Sequence, residues 1–106
     1  MGVRQEADKV VLRLDGELDL ASSPMLESEI ESPEVGAAAR VLLDLRELQF
    51  IDSTGLRTIF AAYARSRERG QEFALTRGSE QVQRLLAITR LGEHLRILDS
   101  PEEMVP

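Results

Sequence analysis

The residues with the most chemistry to offer stand together at Asp52-Ser53-Thr54-Gly55. Two adjacent hydroxyls follow a carboxylate, and a glycine leaves the backbone open to close approach. The stretch from Phe50 to Leu56 lies between an apolar run at 41–45 and a helical pattern. A strand that ends there, a short loop across the sheet edge and a helix that starts at Ser53 would place these groups where open α/β sheets collect their sites. The first turn of a helix carries unpaired N–H groups and roughly half a positive charge. A phosphoryl group on Ser53 would therefore sit at an anion-favouring position, beside Asp52, and add about −1.5 to −2 charges. Such a change is local in charge and shape. It would confront a partner docked over the helix start with unmatched charge. The plain alternative is that Ser53 only caps the helix, as Ser, Thr and Asp do at many helix starts. On local chemistry alone, capping outweighs the switch.

Other readings of the reactive residues lack companions. The chain has no cysteine, a single histidine, His94, and a single lysine, Lys9. Ser53 is flanked as Asp-Ser-Thr-Gly and not as the Gly-x-Ser-x-Gly elbow of a serine hydrolase. A general base needs a partner in reach, and His94 has no nucleophile motif beside it, so it reads as a surface residue. Asp44 could be the phosphoacceptor of a receiver domain. That chemistry needs two further acids after the first strand and a lysine late in the chain, and the only lysine is Lys9. Asp44 is expected at a strand end, bonded to loop backbone. Glu17 and Asp19 follow a strand and are either turn residues or contacts of a partner and neighbours of the phosphate site. No Gly-x-Gly-x-x-Gly or Walker lysine cradles a phosphate, so no nucleotide cofactor is expected; with no cysteine and one histidine, no metal is expected either. Arg65, Arg67, Arg69, Arg77, Arg84 and Arg90, interspersed with Glu68 and Glu80, read as a solvated face.

The elements that must position the site are legible from pattern. A β-branched run at 10–14 predicts a strand, ended by Asp15-Gly16. Residues 3–7 could pair with it as a hairpin, with Asp8-Lys9 as the turn. Ser23 as N-cap and Pro24 at the first helical position start a helix carrying Leu26 and Ile30, and Pro33 stops it. The connection at 36–39 is a loose joint. The unbroken run at 41–45 suits a strand covered on both faces. Leu56, Ile59, Phe60 and Tyr63 form one apolar stripe of the next helix, with Gly70 past its end. A strand at 72–76, a helix capped by Ser79 and closed near Gly92, a strand at 95–98 and a helical turn after Asp99 follow. Strands alternating with helices predict a single α/β domain over 1–106, with a largely parallel, mixed sheet of four to five strands and about four helices.

Composition narrows the partners. Nineteen acids against thirteen bases give a net charge of −6, which disfavours nucleic acid and anionic membrane surfaces. Aromatics make up 4%, too few for a base-stacking platform. No apolar run approaches the ~18 residues that span a bilayer, and a cytoplasmic location is expected.

Phe50-Ile51-Asp52-Ser53-Thr54-Gly55-Leu56, preceded by Val41-Leu42-Leu43-Asp44-Leu45, resembles the signature of the STAS domain. In particular it resembles bacterial anti-sigma factor antagonists, and Gly16-Glu17-Leu18-Asp19 matches a second motif of that family. The resemblance spans essentially the whole chain. It implies a STAS fold and a protein without catalysis of its own. It implies that the unphosphorylated chain binds an anti-sigma factor that is itself a serine kinase of the GHKL type, which frees the sigma factor. Phosphorylation on Ser53 breaks that complex, and a serine phosphatase restores it. Asp19, Asp52, Ser53, Thr54, Gly55 and Arg57 then fall on the partner surface, with Thr54 as a second hydroxyl open to modification. Arg57 is a departure, because many relatives carry glycine there. A monomer or weak dimer is expected. The alternative within the same fold is a STAS subunit of a transport or sensory assembly, in which Ser53 merely caps.

Overall fold

The computed structural model describes residues 1–105. Five strands, Gly2–Glu6 (β1), Lys9–Leu18 (β2), Arg40–Ile51 (β3), Glu72–Thr76 (β4) and Arg96–Leu98 (β5), form one sheet in that order. β1 runs antiparallel to β2, and the other neighbours pair in parallel. Four helices, Ser23–Ile30 (α1), Pro33–Ala37 (α2), Ser53–Glu68 (α3) and Glu80–Ala87 (α4), join the strands. Short 3-10 turns lie at Leu91–His94 and Pro101–Glu103. The mixed, largely parallel α/β sheet is the one that the strand–helix alternation predicts.

The pleat sorts the apolar residues. Val10, Leu12 and Leu14 of β2, Val41, Leu43 and Leu45 of β3, and Phe73 and Leu75 of β4 pack in one core with Leu26, Ile30, Ile59, Val82 and Leu86 from the helices. Val11, Leu42 and Ala74 make a small cluster on the other face with Met104 and the partly buried Leu98. The unbroken run in β3 is thus covered on both sides, by helices on one and by the terminal turn on the other.

Lys9 explains how that turn is held. The sequence predicts a hairpin turn at Asp8-Lys9, but the chain turns at Ala7-Asp8, with Ala7 at φ 53°. Lys9 instead opens β2 and is buried. Its Nζ donates to the Pro101 and Met104 carbonyls at 2.9 and 3.1 Å. A buried ammonium is tolerated only when such partners replace water.

Two boundaries differ for local reasons. Ser22, not Ser23, is the N-cap residue of α1, and Ser23 is buried. Pro33 starts a helix as well as ending one: it occupies the first turn of α2, and the Ser32 hydroxyl accepts from the Val35 amide at 3.4 Å. Proline is pre-organised for that first position. The first two residues of the expected loose joint, Gly36 and Ala37, therefore end a short helix.

The strand β3 positions everything that follows. Its ladder with β4 ends at Leu43 and Leu75, yet β3 continues to Ile51 where a loop was expected. On one side β2 pairs with it as far as Leu18 and Ile51. On the other side, side chains take over from the missing strand, as backbone groups away from water require. Thr76 Oγ1 accepts from the Leu45 amide at 2.7 Å, and Ser79 Oγ donates to the Gln49 carbonyl at 3.0 Å. Gln81, from α4, grips Ile51 twice, accepting from its amide at 3.0 Å and donating to its carbonyl at 2.9 Å. Asp44 consequently lies inside a strand and not at its end. Burial pushes its carboxyl pKa up. The Arg46 guanidinium, the Thr76 hydroxyl and the Arg46 amide outweigh that and hold it below the usual carboxylate range.

Candidate functional site

Ile51 is fixed by β2 and by Gln81, so the next residues leave the sheet at a set angle. Asp52 keeps an extended backbone and its N–H donates to the Leu18 carbonyl at 3.2 Å. Its Oδ1 accepts from the Gly55 amide at 2.9 Å, and its carbonyl accepts from the Leu56 amide at 2.9 Å. Asp52 is therefore the N-cap of α3. Ser53 is the first helical residue, exposed, and its hydroxyl makes no hydrogen bond among the described residues. The sequence alternative that Ser53 caps the helix is not met. Of two neighbours with capping side chains, only the one still in the extended region reaches back to the orphan amides.

A stability comparison follows from this geometry. Asp52→Ala should cost ~1 kcal/mol, the usual loss of a cap, and Ser53→Ala less than ~0.5 kcal/mol, as for an exposed side chain without partners. Urea midpoints of the two variants check it; the reverse order would mean that the serine is the cap.

Gly55 explains how a second segment reaches the site. A Cβ at this position would lie 2.2 Å from the Leu18 carbonyl oxygen and 2.9 Å from Ile51 Cγ1. The first turn of α3 thus rests directly on the end of β2, which brings the loop that begins at Asp19 alongside. Asp19 accepts from the Ser22 and Ala21 amides at 3.0 and 3.1 Å and from the Ser22 hydroxyl at 3.1 Å. The Ser22 amide and hydroxyl hold its carboxyl pKa below the usual value. The turn role foreseen for Asp19 is present, and it keeps the residue anionic. Ser22 closes the same loop by donating to the Glu17 carbonyl at 2.8 Å. Glu17 itself is exposed and pairs with Phe50 across β2 and β3.

Thr54 is half-buried; its carbonyl accepts from the Thr58 hydroxyl at 3.0 Å. Arg57 is exposed, and its Nη2 lies 3.5 Å from Thr54 Oγ1. Asp19, Asp52, Ser53, Thr54, Gly55 and Arg57 are thus gathered at one end of the sheet. Sequence reasoning missed two contributors, Leu20 and Gln81. Leu20, in the loop directly after Asp19, is 74% exposed. Its signal is a large apolar residue beside polar turn residues. Gln81 gave no signal at all, since a glutamine on a helix reads as surface.

The remaining candidates lie elsewhere. His94 is exposed. Arg65 and Arg69 pair with Glu31, Arg77 with Asp99, and Arg84 with Glu80. Among the described residues no group of three or more His, Cys, Asp or Glu is placed to hold a metal ion, and no helix is long and apolar enough to cross a membrane.

The fold is a mixed α/β sheet that presents one helix start and the adjoining loop at its end. The STAS domain family model matches residues 2–104, and the chain belongs to that family, among the anti-sigma factor antagonists. It is 33% identical over 92 residues to the anti-sigma F factor antagonist of Paenibacillus polymyxa, covering 86% of this chain and 79% of that one. An anti-sigma factor antagonist from Mycobacterium paratuberculosis has the same fold, with a TM-score of 0.84 and 21% identity over 95% of this chain and 86% of that one. SpoIIAA of Bacillus, solved in its phosphorylated form, matches with a TM-score of 0.75 and 21% identity over 96% of this chain and 93% of that one.

Proposed function

We propose that the unmodified chain binds an anti-sigma factor that is a serine kinase, frees the sigma factor, and is released when that kinase phosphorylates Ser53. The observation that carries this is the free, exposed hydroxyl of Ser53 at a helix start that Asp52 already caps. In the alternative, a permanent subunit of a transport or sensory assembly, Ser53 has only the capping role, and Asp52 fills that.

Ser53 Oγ attacks the γ-phosphorus of ATP. The Oγ–P bond forms, the bridge to the β-phosphate breaks, ADP leaves and the hydroxyl proton is lost. A serine phosphatase reverses the mark by hydrolysis, returning the hydroxyl and inorganic phosphate. Local geometry favours both states. The hydroxyl has no internal bond to give up, and the phosphate gains the positive end of α3.

Leu20, next to Asp19 and exposed, supplies apolar contact beside the charged centre, as interface cores do. Calorimetry of the chain against its anti-sigma kinase should show binding that Leu20→Asp weakens at least ~10-fold, the effect of burying an unpaired charge at an interface. Unchanged affinity would remove the loop from the interface, and no binding by the unmodified chain would overturn the function.

A further inference from the structure

We propose that Arg57 is the internal counter-ion of the switch: when Ser53 carries a phosphate, the Arg57 guanidinium pairs with it. This rests on the reading of Ser53 as the phosphorylated residue. Arg57 lies four residues beyond Ser53 on α3, so the two side chains are neighbours on the helix surface. The order, anion before cation, is the more favourable of the two. The side chain already runs towards the helix start, with Nη2 3.5 Å from Thr54 Oγ1.

Its charge is also uncommitted. Among the described residues Arg57 has no carboxylate within 4.0 Å, whereas Arg65 on the same helix and Arg69 just past its end both hold Glu31 at 3.0 Å. Arg67 lies over the Tyr63 ring, 5.8 Å from its centroid. The charged groups around the helix start are Asp52, Asp19 and, on α1, Glu27, which lines a hollow with Thr54 and Arg57. Asp52 and Asp19 are bound to backbone amides and stay where they are. A phosphate dianion therefore adds to a negative cluster, and Arg57 is the mobile cation in reach. Its planar fork can give a phosphate two parallel N–H bonds, which lysine cannot. The phosphate is then held against α3 and kept dianionic at a lower pH.

The test places phosphoserine at position 53 during translation, in the full chain and in Arg57→Gln and Arg57→Lys, and follows the phosphorus NMR shift against pH. The second phosphate ionisation should fall lower in the Arg57 chain than in the glutamine variant, by about 0.3 of a pH unit at low salt. Lysine should keep part of the shift, and 1 M salt should remove it. Equal midpoints for the arginine and glutamine chains at low salt overturn the proposal. No kinase is needed, so failure of a kinase to modify Ser53 overturns the switch alone, and unchanged midpoints overturn the counter-ion alone.

Discussion

Gly55→Ala is expected to destabilise the protein by ~3 kcal/mol, the upper end of what overpacking costs. Helix propensity alone gives the opposite sign, because alanine inside a helix is better than glycine by ~1 kcal/mol. Packing decides. The new methyl carbon would stand 2.2 Å from the Leu18 carbonyl oxygen, which is backbone and paired into the sheet region. A flexible side chain could turn away from it, but a carbonyl fixed by the Asp52 amide cannot. The helix start must move instead, and with it the Asp52 cap and the contact to the Asp19 loop. A domain of this kind has only about 5–15 kcal/mol of stability in all, so the loss is a large fraction. Urea unfolding followed by circular dichroism measures it. A neutral or stabilising result would show that α3 can step off β2 freely, and the close contact would then not be what holds the site together.

Ser53→Asp is expected to weaken binding to the anti-sigma kinase by about 10-fold to 100-fold, while Ser53→Ala binds as the unmodified chain does. The hydroxyl is exposed and unbonded, so its removal takes away little. A carboxylate there adds a charge to a surface that already carries Asp52 and Asp19. Under a docked partner it loses water without gaining a counter-charge from that partner, a cost of ~1.4–2.8 kcal/mol and hence the stated range. A phosphate, with about −1.5 to −2 charges, should act more strongly than aspartate. Calorimetry on both variants is the measurement, and equal affinities would remove charge as the cause of release.

How much of this was legible depended on where the cause of each feature lies. The apolar run of β3, the Gly70 stop and the Ser79 cap have local causes. Gly70 stands at φ 72° and Ser79 accepts from the Val82 amide at 3.3 Å, as their residue types suggest. The tail of β3 was not legible. Arg46 and Glu47 interrupt its apolar pattern, and its second edge is completed by Ser79 and Gln81 from distant sequence. Lys9 misled for the same reason, since the carbonyls that make its burial tolerable arrive from residues 101 and 104. At the site, the motif singled out the residues to watch but not their division of labour. Asp52 and Ser53 are both capping types, and only the backbone conformation assigns the cap. Gly55 reads as open backbone in sequence, and the structure makes it the seat of an inter-element contact. The sequence offered no ground for choosing between a turn and a partner role for Asp19; the turn is seen, and the partner contact belongs to the proposal.

The central claim is that Ser53 is the residue the kinase marks. Incubation of the chain with its anti-sigma kinase and ATP, followed by mass spectrometry of the intact protein and its peptides, tests this most directly. One added phosphate on the peptide bearing Ser53, and none on Ser53→Ala, is the result expected. A phosphate that settles on another residue, or that Ser53→Ala accepts as readily, contradicts it.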